Sequence, residues 1–430
     1  QDLPHTLKVG KFTSPIIREF YVAGNNNPTL GVNDAFKPVT RYWDRITHPA
    51  QIVQSLPAAI ATMLDPGDCG PAFLGLPQDV QGWTYDYPVE FFEKTVRRIR
   101  RVTPDGGEVA DAAALLEGAQ RPMIIAGGGV QYSRAVAELT TFAETHSTPV
   151  TETIAGRANM LAEHPLNIGP VGVTGSDSAN AIAEKADVIL AVGTRLQDFT
   201  TGSWTAFDKK AKFVSVNTAR HDAGKHRSAP VVGDAKLALT ALTAAAAGYR
   251  APDDWTASAQ EERKKWDDYV ADNVRPGNRP ASYAQAVGIV NDLCDPADRI
   301  VAAAGGLPAE VTANWRTLKT GTGNESFNNL IKDCNIAVEP FAVDFAAHAR
   351  SMGAEAETVA NPGELAEAFK RAKAADRTYV IAMQVDAYEG WTTEGHAWWE
   401  VGTPHVSDSA KVRAAHEEIE AARARQRRGV

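Results

Sequence analysis

The sequence predicts an α/β protein built on doubly wound parallel sheets. Three observations predict it. Between about 107 and 247, short apolar runs alternate with runs of helical spacing, the pattern of buried strands joined by crossover helices. Glycines follow several of those strands directly, as in MIIAGGGV, AVGTR and PVGVTG, where a strand must turn sharply toward a helix. The chain has 430 residues, 44% hydrophobic and 23% charged, enough for two or three domains with full cores.

The first region, up to about Pro88, carries one helix and one strand. HPAQIVQSLPAAIATML (48–64) has apolar residues at helical spacing, DPGDCGP (65–71) is a turn cluster, and AFLGLP (72–77) is a short buried strand. One such unit cannot close a core, so this region is expected to be the end of a larger domain. The second region is fuller. Helices are expected at 108–120, 133–146, 178–186 and 234–248, and strands at 121–130, 148–154, 187–195 and 212–217.

The third region, about 255–430, opens with the charged helix WTASAQEERKKWDDYVADN. Helices are also expected at 282–294, 343–353, 362–374 and 407–428, with good strands only at 299–304 and 378–385. Two strands are too few for a parallel sheet, so strands are expected to be missing near 320. GGLPAEVTANW (305–315) reads as the opening of a cofactor-binding α/β domain. NESFNNLIKDC (324–334) reads as a stretch from much later in one, with only about 319–323 between them.

The net charge of −9 argues against a nucleic-acid-binding surface. The basic RARQRR at 423–428 reads as a solvated helix end, where cations suit the dipole. Cys69, Cys294 and Cys334 are far apart, which excludes a zinc knuckle or a disulfide scaffold and suits a reducing, cytoplasmic compartment. No apolar run approaches the roughly 18 residues of a spanning helix, so no membrane association is expected. QDLPHTLKVGKF lacks a signal-peptide layout and a Met, so it is not expected to be the natural start.

Several stretches could carry chemistry. AGGGVQYS (126–133) could bring backbone N–H groups to a phosphate, but it is not GxGxxG and no acid is placed for a ribose. Tight strand-to-helix turns are the plainer reading. The pairs Gly67-Asp68 and Gly233-Asp234 lack a third glycine and a downstream Asn, so they read as turns rather than metal motifs. In AAAGGLPAE (302–310), Gly305 and Gly306 sit at a strand's carboxyl end, where α/β sheets bind ligands. YEGWTTEGHAWWEVGTPHV (388–406) holds three tryptophans. It either packs over a domain surface or lines a polyol pocket, with His396 and His405 as proton carriers by residue type. Asn328 and Asn329 in ESFNNL could recognise hydroxyls or serve a turn.

VNDAFKPVTRYWDRITHPAQ, HPLNIGPVGVTGSDSAN, AVGTRLQDFTTGSW, AAAGGLPAEV, TGNESFNNLIKDC and AWWEVGTPHVS together resemble one family. They are similar to the thiamine-diphosphate-dependent trihydroxycyclohexanedione hydrolases of myo-inositol catabolism, and the likeness runs over nearly the whole chain. It implies three doubly wound parallel-sheet domains, the first and third incomplete. These are a partial pyrimidine-binding domain at 1–88, a central domain at 89–250, and a partial diphosphate-binding domain with a C-terminal tail at 251–430. It also implies that segments distant in the family abut near 319–323 and within the first 31 residues.

The resemblance further implies thiamine diphosphate and Mg²⁺. Gly305, Gly306, Leu307 and Pro308 match the loop that approaches the diphosphate. Asn328, Asn329, Trp391, His396 and Trp398 are expected on the substrate side. No position matches the family's Gly-Asp-Gly…Asn metal motif or its activating glutamate, so catalytic residues and metal ligands are not named. The implied reaction cleaves the bond between two adjacent carbonyls of a cyclic polyol dione, with water as the second reactant, and gives 5-deoxyglucuronate. A homodimer or homotetramer is expected, because the family's sites form between subunits. The alternatives are an acetohydroxyacid-synthase-like carboligase and a non-catalytic, degenerate family member. A nicotinamide-nucleotide enzyme is a weaker alternative.

Overall fold

The computed structural model describes residues 6–7, 31–273, 281–295, 297–302, 306–315, 320–322, 343–386, 392 and 397–427. The chain forms two compact units, Gln1–Val102 and Thr103–Val430.

In the first unit, strands β1 (Thr6–Leu7), β2 (Tyr42–Arg45) and β3 (Ala72–Gly75) form a parallel sheet in the order β1-β3-β2. The expected helix forms at Ile52–Met63, after a single 3₁₀ turn at Pro49–Gln51. Phe73 is fully buried on β3, stacked between Phe36 at 5.0 Å and Trp43 at 6.1 Å. One aspartate organises the entry to β2. Asp34 accepts from the Gly31 N–H at 2.7 Å and pairs with Arg45 at 2.7 Å and Lys37 at 2.6 Å. Burial alone would raise its carboxyl, but these hydrogen bonds outweigh burial and hold it down to about 2.

The second unit is centred on six parallel strands: β4 (Pro122–Ala126), β5 (Val150–Glu152), β6 (Asn167–Pro170), β7 (Val188–Val192), β8 (Lys212–Asn217) and β9 (Ala229–Val232). Their order is β6-β5-β4-β7-β8-β9, the doubly wound order in which the chain reverses direction between β4 and β7. Strand periodicity divides the core. Ile124 and Ala126 join Leu116, Leu139, Phe142 and Leu239 on one face. Met123 and Ile125 join Ile182, Ile189, Phe213 and Trp255 on the other. Trp255 opens the long helix Asp253–Asn273, and its indole N–H donates to the Pro122 carbonyl at 2.8 Å. The third region's charged helix is thereby seated on the central sheet.

The rest of this unit holds two parallel pairs, β10 (Ile300–Ala302) with β11 (Thr320–Thr322) and β12 (Glu355–Val359) with β13 (Tyr379–Met383). β12 was not expected from the sequence; its EAETV alternates acidic and small residues on a half-exposed strand. Of the expected junction at 319–323, Thr320–Thr322 form β11 beside β10, while 319 and 323 lie outside the described residues. Within RARQRR, Arg423, Gln426 and Arg427 are packed rather than solvated. Arg423 pairs with Glu400 at 2.7 Å, Gln426 donates to the Ser203 carbonyl at 2.7 Å, and the Arg427 guanidinium lies 4.7 Å from the centre of the Phe213 ring. Arg427 also donates to the Ala211 carbonyl, so this part of the tail rests on the central domain.

At the reversal between β4 and β7 the backbone packs on backbone. A Cβ on Gly129 would lie 2.6 Å from the Gly193 Cα, and Gly193 itself has φ +60°. The Gly129 N–H, which could have faced a phosphate, donates to the Gly193 carbonyl at 2.9 Å. The AGGG glycines therefore serve close approach of two strand-ends. Gly193→Ala combines a left-handed backbone with this clash and is expected to cost about 2 kcal/mol or more in urea unfolding. An unchanged midpoint would contradict the packing argument.

Candidate functional site

β10 ends at Ala302, and the helix Gly306–Asn314 begins four residues later. Glycine opens this helix, and backbone N–H groups of its first turn have no intrahelical partner. Such an end favours an anion, more so where the missing Cβ permits close approach. Leu307 is 41% exposed beside it. Pro308 occupies the first turn, where its missing N–H costs nothing.

Two residues later Glu310 is fully buried. Its carboxylate accepts from the Thr392 N–H at 2.8 Å and from Asn314 Nδ2 at 2.7 Å, and also from the Thr392 hydroxyl. Asn314 Nδ2 further donates to Thr392 Oγ1 at 2.8 Å. Glu310 and Asn314 are i and i+4 on one helix, so they share a face. This network fastens Thr392, from the tryptophan-rich stretch, to the helix opened by Gly306.

The same helix is tied to the central sheet. Arg157 Nη2 donates to the Trp315 carbonyl at 2.5 Å, and Nη1 pairs with Glu152 Oε2 at 2.5 Å. Glu152 ends β5 and is fully buried; its second oxygen accepts from the Met160 N–H at 3.1 Å. Burial pushes the Glu152 carboxyl up, and Arg157 opposes that shift. A cavity of about 10 Å³ lies among Arg157, Arg263, Trp266, Asn314 and Trp315, room for one water at most.

The second half of the tryptophan-rich stretch docks elsewhere. Trp399 Nε1 donates to Asp198 at 2.7 Å, its ring meets Phe199 edge-on at 4.8 Å, and the Glu400 N–H donates to Ser203 Oγ at 2.9 Å. A Cβ on Gly202 would lie 3.0 Å from the Trp398 carbonyl, at φ +53°. AWWE thus packs over DFTTGSW, and Trp398 is half-buried there.

Of the residues singled out from sequence, Gly306, Leu307 and Pro308 sit on one helix start, and Trp398 sits at the DFTTGSW contact. Gly305, Asn328, Asn329, Trp391 and His396 lie outside the described residues. His405 is exposed, its ring 6.4 Å from that of His416. Sequence reasoning missed Glu310, Asn314 and Thr392. The available signal was an acid and an amide at i and i+4 directly after GGLPA. Among the described residues no cluster of three metal-ligating side chains occurs. Asp234 caps the helix Ala235–Ala245 through the Lys236 and Leu237 N–H groups, as its turn reading requires. Cys294 is a poor nucleophile, because burial and then Asp298 push its thiol up to about 11. No helix among the described residues is long and apolar enough to cross a membrane.

Residues 109–242 match the family described as thiamine pyrophosphate enzyme, central domain, and residues 310–383 match its C-terminal TPP binding domain. A Bacillus velezensis protein named 3D-(3,5/4)-trihydroxycyclohexane-1,2-dione hydrolase is 32% identical over 502 residues, covering 94% of this chain and 78% of that protein. The chain belongs to this hydrolase family. A protein of the same name from Halalkalibacterium halodurans is 36% identical over 338 residues, 73% of this chain but 53% of that protein, so here the match spans about half the relative's length. One from Lacticaseibacillus casei is 29% identical over 503 residues, 94% of this chain and 78% of its own. Alignments of 502 and 503 residues exceed the 430 of this chain, so they open gaps within it. The match to the TPP-binding domain begins at Glu310, inside the helix that Gly306 opens.

If the Glu310 network holds Thr392 in place, Thr392→Val should lower unfolding stability by about 1–3 kcal/mol, because it strands the Glu310 and Asn314 groups. Thr392→Ser should recover most of the loss. Equal losses in the two variants, measured by chemical denaturation, would count against the network.

Proposed function

We propose that this protein opens the ring of 3D-(3,5/4)-trihydroxycyclohexane-1,2-dione by hydrolysis of a carbon–carbon bond, using thiamine diphosphate. The observation that carries the reading is the relative of that name aligned across 94% of the chain, through both the central and the TPP-binding regions. The helix start at Gly306, placed just past the carboxyl end of β10, supports it.

When bound, the cofactor would supply an electron sink for the pair released as the bond between two carbonyls breaks. The chain's own contribution is placement. Gly305, Gly306 and Leu307 would hold the diphosphate through backbone N–H groups, Pro308 would shape the same turn through its fixed φ, and Glu310, Asn314 and Thr392 would keep that helix fixed. Asn328, Asn329, Trp391 and His396 are assigned to the polyol hydroxyls, with Trp398 bordering them. Mg²⁺ would neutralise the diphosphate, as hard oxygen ligands suit it. We assign the protein to homodimers or homotetramers and to the cytoplasm, the latter supported by three cysteines scattered far apart in the sequence.

Incubation with thiamine diphosphate, Mg²⁺ and the cyclic dione should give an open-chain carboxylate heavier than the substrate by one water, detected by mass spectrometry. Omitting the cofactor should abolish it. An unconsumed dione together with condensation of added pyruvate would replace this reading with a carboligase. No turnover of either would favour a non-catalytic member.

A further inference from the structure

The amino ends of β8 and β9 lie at the edge of the sheet opposite the strand ends that carry Glu152 and Gly193. A groove of about 400 Å³ opens there. Its lining includes Lys209, Lys210, Lys212, Arg227, Ser228 and Arg427, with no acidic residue among its walls. Five cations around one groove stand out in a chain of net charge −9.

Two of the five are committed to structure. Lys209 Nζ donates to the Ala424 carbonyl at 2.6 Å, and Arg427 donates to the Ala211 carbonyl while lying over Phe213. These contacts hold the C-terminal helix against the groove. The side chains of Lys210, Lys212 and Arg227 make no ion pair or hydrogen bond among the described residues. The nearby Asp208 carboxylate accepts from the Lys210 backbone N–H at 2.7 Å.

Ser228 supplies an independent observation. It is 8% exposed, and its hydroxyl has no hydrogen-bond partner among the described residues. A buried hydroxyl without a hydrogen bond is costly, and this one borders the groove. The backbone that presents it is strained. His226 and Arg227 have φ of +55° and +56°, a conformation rare for non-glycine residues and rarer in succession. The His226 ring lies against Trp204, with ring centres 3.8 Å apart, and this contact secures the turn. Trp204 in turn accepts from the Arg427 N–H at 2.9 Å.

We propose that this groove is a binding site for a phosphate-bearing small anion, with Lys210, Lys212 and Arg227 supplying charge and the Ser228 hydroxyl a directed donor. Guanidinium and ammonium groups together match a phosphate's oxygens, and a buried donor converts general attraction into a defined position. Because Arg427 and Lys209 tie the C-terminal helix to the same walls, anion binding there tightens that helix. The site is separate from the helix start at Gly306 and does not depend on the proposed reaction.

The test is calorimetric titration of inorganic phosphate into the full chain saturated with thiamine diphosphate and Mg²⁺, so that the cofactor's own phosphate site is filled. Saturable binding is expected that weakens as salt rises. The double variant Lys210→Ala/Arg227→Ala should weaken it at least tenfold, and Ser228→Ala several-fold, with unfolding midpoints in phosphate-free buffer unchanged. Phosphate should also slow hydrogen exchange in 410–427. Absence of saturable binding, or equal affinity in wild type and double variant, would overturn the proposal. If the double variant alters the fold by circular dichroism, the exposed Lys210→Glu/Lys212→Glu pair gives the same decision.

Discussion

The second unit depends on one buried guanidinium. Arg157 reaches from the loop after β5 to both the Glu152 carboxylate and the Trp315 carbonyl. Burying an ion pair carries a large desolvation cost, and the attraction repays it only with good geometry and further hydrogen bonds. Here the Met160 N–H and the Trp315 carbonyl supply those bonds. The apolar contact of Trp266 and Val270 with Ala313 lies beside it. Together they fix the helix Gly306–Asn314 relative to the central sheet. Glu310 then carries that position on to Thr392. The helix is thus held at two places, by Thr392 at Glu310 and Asn314 and by Arg157 at Trp315.

The carboxyl ends of the central strands tell a complementary story. The glycines that follow β4 and β7 invite a nucleotide-binding reading, yet the Gly127, Gly129 and Gly193 N–H groups donate to the Val192, Gly193 and Val216 carbonyls, and the space beside Gly127 and Gly129 is filled by Gly193. The central domain therefore acts as a platform. It seats the helix Asp253–Asn273 through Trp255, the AWWE segment through Asp198 and Ser203, and the C-terminal helix through Phe213 and Trp204. The strings DFTTGSW and AWWEVG, widely separated in sequence, are two sides of one contact.

Much of the fold was legible in the sequence. Strands β4, β7 and β8 are buried on both faces and read as continuous apolar runs, as parallel strands should. What escaped were the margins. β6 (NIGP) and β9 (APVV) contain proline and are the outermost strands of their sheet, the positions where a missing N–H is tolerated. The motifs marked Gly306 through strand-end logic, but Glu310 and Asn314 escaped because a buried acid is recognisable only once its partner is known. That partner, Thr392, is 78 residues from Asn314. The basic tail was misread for the same reason, since its carbonyl and aromatic partners lie on the distant central domain.

The most direct test of this account is hydrogen exchange in Arg157→Met, followed by residue-level mass spectrometry. If the guanidinium anchors the helix, amides of 309–315 should exchange about tenfold faster or more, while those of β4 and β7 keep their protection. Unchanged exchange at 309–315, or uniform acceleration across the central sheet, would contradict the claim that Arg157 fixes this helix.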